Sequence, residues 1–101
     1  MSEWTRRYEY TDANIDLYAP QSGGVYRLVY YSNEKHYVFY VGQSENLAIR
    51  LKEHLNSSDQ CIRKHLSDYS CYFRYIQINK QEERDKIEIQ QIKEFNPTCN
   101  S

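Results

Sequence analysis

The sequence predicts an α+β domain: a small, mainly antiparallel three-stranded sheet flanked by helices, in the order β-β-α-α-β-α. Three observations predict it. Residues 24–31 (GVYRLVYY) and 37–42 (YVFYVG) are rich in β-formers and lie either side of a short polar turn, the pattern of a hairpin. The apolar period then lengthens to that of a helix. One further β-rich run, residues 71–78 (CYFRYIQI), separates two helical segments from a third.

Taken in order, residues 1–23 show weak periodicity and read as an N-terminal arm that ends at the turn signal Pro20-Gln21-Ser22-Gly23-Gly24. Residues 24–101 form the domain proper. Ser32 to Lys35 make the hairpin turn. Ser44 reads as the N-cap of a helix from about residue 45 to 55, with Leu47, Ala48, Leu51 and Leu55 on one stripe. A shorter helix spans about residues 59–66. The last helix covers residues 80–95 and stops at Asn96-Pro97, because proline disfavours helical geometry in the residue before it.

Composition narrows the function classes. The chain has 101 residues and a net charge of −1, which argues against a protein that coats nucleic acid non-specifically. Charge is uneven, however: residues 21–80 hold eight Lys/Arg against five acids. Eleven tyrosines suit strands and half-buried positions, and also suit a surface that meets phosphates and bases. Three cysteines, Cys61, Cys71 and Cys99, are odd in number and form no CxxC pair. Neither a zinc site nor a full disulfide set is therefore expected, and a reducing cytoplasm is the expected compartment. No apolar run reaches membrane length, and the first residues do not resemble a secretory leader.

The chemistry-bearing residue that stands out is Glu88. Taking roughly 100° per residue, Phe95, Ile92, Ile87 and Ile89 distribute about Glu88 so that the apolar direction passes within roughly 12° of it. Glu82, Glu83, Lys86, Gln90, Lys93 and Glu94 all lie on the far side. A carboxylate aimed at the interior needs a compensating charge, either a buried cationic side chain or a metal ion. In the first long helix Arg50 and His54 are four residues apart and flank the leucine stripe, where residues lining a cleft would stand. Tyr26 and Tyr40 share a face of the hairpin if the turn is odd-numbered, with Ser32 opposite His36, and lie on opposite faces if it is even.

These residues coincide with a family pattern. Gly24-Val25-Tyr26 followed by Tyr40-Val41-Gly42 resembles the paired elements of GIY-YIG nucleases. Gln43-Ser44-Glu45-Asn46-Leu47 and Arg50 resemble the helix that follows the second element, His54 stands where many members carry His or Tyr, and Glu88 stands at the metal-binding glutamate. Asn96-Pro97-Thr98-Cys99-Asn100 resembles the closing element. Thirteen residues separate the two tyrosine elements, so an extended hairpin is expected, and Gln43 replaces a lysine found in some members.

The resemblance implies the GIY-YIG endonuclease fold and a metal-dependent endonuclease acting on nucleic acid, with DNA the expected substrate. Glu88 would hold a single Mg²⁺ or Mn²⁺, and Tyr26 would be the general base or position the water, which needs its pKa lowered by nearby cations. Arg50 would stabilise phosphoryl charge. Tyr40 and His54 would bind phosphate or relay the proton, Asn100 would order the site, and Gln43 and Lys52 would join Arg50 and His54 in binding substrate. A partner protein or self-association would supply specificity. The alternative is a catalytically silent module of the same fold that binds nucleic acid or protein.

Overall fold

The computed structural model describes residues 3–100. Its elements are β1 (Tyr8–Glu9), α1 (Asp12–Tyr18), β2 (Gly24–Ser32), β3 (Lys35–Ser44), α2 (Leu47–Leu55), α3 (Gln60–Asp68), β4 (Ser70–Gln77), α4 (Gln81–Phe95) and a terminal 3-10 turn (Thr98–Asn100). The sheet has four strands rather than the expected three, in the order β1-β4-β2-β3, and every pairing is antiparallel. The additional strand comes from the N-terminal arm, where Tyr8 and Glu9 pair with Phe73 and Tyr72. Two residues are too few to display alternation, so sequence periodicity had nothing to register.

The arm also contains α1, capped by Thr11, whose hydroxyl accepts from the Asn14 amide at 3.1 Å. Only Ile15 of α1 is buried, which leaves no apolar stripe to read. Tyr10 is buried and donates its hydroxyl to the Leu51 carbonyl at 2.6 Å, fixing the arm to α2.

The hairpin reaches its register by a different route from the odd turn considered above. Ser32 pairs with Lys35 across a two-residue turn, and Asn33 and Glu34 both take positive φ, 51° and 66°, as a type I′ turn demands. That even turn alone would put Tyr26 and Tyr40 on opposite faces. A bulge follows: Leu28 faces Tyr40 but Val29 faces Val38, so Phe39 is an extra residue in β3. The bulge restores the pairing of Tyr26 with Gly42 and returns both tyrosines to one face.

Two layers cover the sheet. On one face Tyr26, Leu28, Phe39 and Phe73 pack with Ile15, Leu47, Leu51 and Ile62 from the first three helices. Most of these are fully buried, and each such side chain contributes about 1.5–3 kcal/mol. On the other face Val25, Val41, Ile76 and Ile78 pack with Trp4 and with Ile87 and Ile92 of α4.

Helix boundaries differ from the expectation in one instructive place. β3 continues through Ser44, paired with Gly24, so the N-cap of α2 is Asn46, whose side chain accepts from the Ile49 amide. In α4 the buried residues are Arg84 and Gln91, while Ile89 is 67% exposed. The inward direction is therefore rotated about 50° from Glu88, taking 100° per residue. Polar side chains turn inward because partners await them. Gln91 accepts from the Arg27 Nε at 2.6 Å, and the Arg27 guanidinium lies between Trp4 (3.8 Å to the ring centre) and Phe95 (4.8 Å). Among the described residues no helix is long and apolar enough to cross a membrane.

Candidate active site

Tyr26, at the start of β2, is the centre of the site. It is fully buried, and its hydroxyl lies 2.7 Å from His54 Nε2 on α2. The ring can occupy this place only because residue 42 is glycine: a Cβ there would stand 2.3 Å from the Tyr26 hydroxyl oxygen and 2.9 Å from the Tyr40 ring. Tyr40 flanks the pair, its ring centre 6.1 Å from that of Tyr26 and 4.9 Å from that of His54.

Burial decides the protonation of this pair. It raises the Tyr26 hydroxyl well above an ordinary tyrosine; Tyr40 adds to the rise and Arg50 opposes it. The lowering expected from nearby cations is thus overcome by desolvation. Burial, with the Arg50 charge beside it, pushes the His54 imidazole down to about 4. At neutral pH His54 is uncharged, and its Nε2 can accept the hydrogen that Tyr26 donates.

Arg50, one turn before His54, is half-exposed and pairs with Glu53 at 3.1 Å. Burial works against its charge, but Glu53 and the Tyr26 hydroxyl outweigh it and hold the guanidinium firmly protonated. Lys52 takes another direction. It pairs with Asp16 of α1 and does not join the tyrosines.

Glu88 is half-buried on α4, and its charge acts on Tyr26. Among the described residues no cationic side chain forms an ion pair with it. Its polar neighbour is Gln43 at the end of β3, whose Nε2 is 3.4 Å from Glu88 Oε1 and also donates to Asp85. Gln43 is itself held, its Oε1 accepting from Gln81 and from the buried Arg84. The hydrogen bonds that Gln43 and Gln81 donate to Asp85 keep its carboxyl below the usual carboxylate range. A partly desolvated carboxylate without a cationic partner, one turn from a second acid, fits a hard divalent ion better than a structural ion pair.

Asn100 caps the edge of the sheet. Its Oδ1 accepts from the Val41 amide and its Nδ2 donates to the Val41 carbonyl, both at 2.8 Å. Tyr26, Tyr40, Arg50, His54, Gln43, Glu88 and Asn100 therefore meet around the end of β3, and Lys52 stands apart. Asp85 and Arg84 were not singled out from the sequence. Asp85 carried a signal, being three residues before Glu88 and hence on the same face of the helix.

The cysteine expectation is corrected. Cys61 at the start of α3 and Cys99 in the terminal turn form a disulfide, leaving Cys71 free and buried. With His65 they also form a group of three candidate ligand atoms lying within 4.8 Å of one another. Sequence separation hid this, since only the fold brings residues 38 apart together.

A helix-covered antiparallel sheet with two facing tyrosines, a His, an Arg and a pair of acids on Gln43 at one edge defines the class: a GIY-YIG domain. The model of the UvrC-like GIY-YIG domain matches residues 22–101, and the chain belongs to that family. It is 32% identical over 82 residues to the UvrABC system protein C of Rickettsia rickettsii and, equally, of Rickettsia conorii. That match covers 81% of this chain but 12% of those proteins, so the chain spans about one eighth of their length. Among solved structures, the fold is that of the GIY-YIG N-terminal endonuclease domain of UvrC from Thermotoga maritima bound to its catalytic divalent cation, magnesium. The TM-score is 0.69 at 24% identity, covering 88% of this chain and 93% of that one. A point mutant of the same domain gives a TM-score of 0.70 at 22% identity, over 89% and 94% of the two chains.

Proposed function

We propose that this chain is a divalent-metal-dependent endonuclease that hydrolyses nucleic-acid phosphodiester bonds, with DNA as its substrate. The observation that carries this reading is the buried Tyr26–His54 pair at 2.7 Å, set beside an unneutralised Glu88. Neutral His54 accepts the Tyr26 hydrogen, which leaves the Tyr26 oxygen lone pairs to accept from an attacking water. As the water attacks phosphorus, its proton passes to the Tyr26 oxygen while the Tyr26 proton passes to His54 Nε2. Tyr26 thus acts as one link of a relay, and no phenolate has to form inside the core.

Arg50 contacts the non-bridging oxygens and stabilises the charge that develops on them. Tyr40 donates to the same phosphate. Glu88 would hold Mg²⁺ or Mn²⁺, which supplies charge neutralisation at the phosphate and leaving oxygen when bound. Gln43 orients the Glu88 carboxylate, and Asn100 fixes the strand that carries Tyr40 and Gly42. Lys52 contacts the substrate only where nucleic acid extends past α1. Specificity falls to the surrounding loops, or to a partner protein or self-association. The cytoplasm, where nucleic acid and magnesium coexist, is the compartment this reading assigns.

The test is cleavage of a panel of plasmid, duplex, branched DNA, single strands and RNA, with Mg²⁺ or Mn²⁺ against EDTA, with Glu88→Gln beside the wild type. Metal-dependent cutting that the variant lacks is the expected result. Cutting that survives EDTA or the substitution would sink the mechanism, and binding without cutting would leave a silent module of the same fold.

A further inference from the structure

We propose that Cys61 and Cys99 are a reversible thiol–disulfide modification site whose state sets how firmly Asn100 holds the strand bearing Tyr40 and Gly42. Its effect on cleavage rests on the function proposed above; its effect on the strand does not.

The placement argues for it. Cys61 and Cys99 are both half-exposed, so small thiols and disulfides can reach them, and their bond joins α3 to the terminal turn. Cys99 immediately precedes Asn100, whose side chain makes the paired bonds to Val41 between Tyr40 and Gly42. The turn also packs against β3 and α3, and Cys99 lies against the core. Its Asn100 amide bonds only locally, to the Pro97 carbonyl at a long 3.3 Å. The disulfide is thus the one covalent tie between the segment after α4 and the helical layer. The third cysteine does not compete: Cys71 is buried and burial pushes its thiol up to about 11, far from the thiolate that exchange requires.

His65 stands beside the pair. Its Nδ1 lies 2.8 Å from the Cys61 carbonyl oxygen, which can only accept, so Nδ1 carries the hydrogen. The same nitrogen lies 3.6 Å from Cys99 Sγ, and its ring is held flat against Phe39, the centres 4.6 Å apart. That hydrogen is given to the Cys61 carbonyl, so His65 packs beside the sulfur without donating fully to it. In the reductive direction a low-molecular-weight thiolate attacks Cys61 Sγ. The Sγ–Sγ bond breaks and its electron pair stays on Cys99 Sγ, which then takes up a proton. A second thiol attacks the mixed disulfide, releasing the Cys61 thiol and one molecule of low-molecular-weight disulfide. Oxidation is the reverse, with that disulfide as the oxidant and two small thiols as products.

Reduction removes the covalent tie between the terminal turn and α3 and leaves non-covalent packing and the Asn100 bonds to hold Val41. Those bonds then open more often, and the edge of the sheet that aligns Tyr40 and Gly42 loosens with them.

The experiment uses the full chain, equilibrated with glutathione disulfide or with dithiothreitol, its state read as free thiols by alkylation and intact mass. Two readouts follow: hydrogen exchange of the Val41 amide, and metal-dependent cleavage of the best substrate in the panel. Reduction should raise Val41 exchange and lower cleavage by about tenfold each, towards the lower end of the usual range of couplings between sites. Reoxidation should restore both, and Cys61→Ser should sit at the reduced level under either condition. Exchange and cleavage that ignore the redox state would overturn the proposal, and the wild-type comparison needs no variant to fold. Stoichiometric Zn²⁺ capture by the reduced protein, lost in His65→Ala, would overturn it in favour of a metal centre. Val41 exchange that responds while neither state cuts any substrate would support the modification site and refute the nuclease reading instead.

Discussion

His54 allows the electrostatics of the site to be tested without any substrate. Its imidazole is held at about 4 by burial, against an ordinary value of 6.5. The unfolded chain therefore takes up a proton at this residue near pH 6.5, whereas the folded chain resists until about pH 4. Between those values the unfolded state binds more protons, so stability rises with pH across that window and falls on acidification. At about 1.4 kcal/mol for each tenfold change, the full effect is about 3 kcal/mol, of which about 2 kcal/mol falls between pH 7 and pH 4.5. Urea unfolding of wild type and His54→Gln, at several pH values in that range, isolates it. Carboxylates common to both proteins cancel in the difference. Glutamine can still accept from Tyr26 but does not titrate. The stability advantage of wild type over the variant should shrink by about 2 kcal/mol from pH 7 to pH 4.5. A difference that stays flat with pH would mean that His54 is hydrated or charged in the fold, and the relay through it would fail with it.

Three further outcomes follow from the same geometry. Glu88→Gln should cost cleavage by about 10²–10³-fold or more, yet change stability by less than about 1 kcal/mol, because no paired cation is stranded; kinetics and thermal unfolding measured together separate the two effects. Gly42→Ala should destabilise by about 1–3 kcal/mol, since its Cβ would stand 2.3 Å from the buried Tyr26 hydroxyl oxygen, and should disturb the Tyr26–His54 hydrogen bond, visible as a shifted imidazole resonance. Glu34→Gly should stabilise by about 0.5–1 kcal/mol, since φ is 66° there and glycine adopts it freely; a lower urea midpoint would show that the Glu34 side chain holds the turn by other means.

The parts legible in the sequence are those whose signal is local. Residues 24–31 alternate, Leu47 and Leu51 repeat at helical spacing, and Asn96-Pro97 ends a helix, so these elements appear where expected. The family pattern pointed to the candidate site residues, which no periodicity could have assembled from five separate elements. What escaped reading depended on distant partners. Tyr8 and Glu9 form a strand only because β4 offers an edge to pair with. Arg84 and Gln91 are polar yet buried, since Gln43, the Ile78 carbonyl and Arg27 satisfy them, and this turned α4 by about 60° from the direction its apolar residues implied. Lys52 was expected to bind substrate, and its pairing with Asp16 of α1 was not foreseeable from α2 alone.

The register of the hairpin shows why such a site needs more than its motif. A two-residue turn by itself would send Tyr26 and Tyr40 to opposite faces, and the extra residue at Phe39 reverses that outcome. The same strand is the outer edge of the sheet, the side from which a polymer would approach Tyr40 and Glu88 on the proposed reading. An edge strand, however, has no neighbour to hold its outward amide and carbonyl. At Val41, between the two residues that shape the Tyr26 pocket, the Asn100 carboxamide takes the place of that neighbour. Access and rigidity are thus reconciled by a side chain from the end of the chain. On the proposed reading, Asn100 serves as a positioning residue, holding Val41 without having to touch a phosphate.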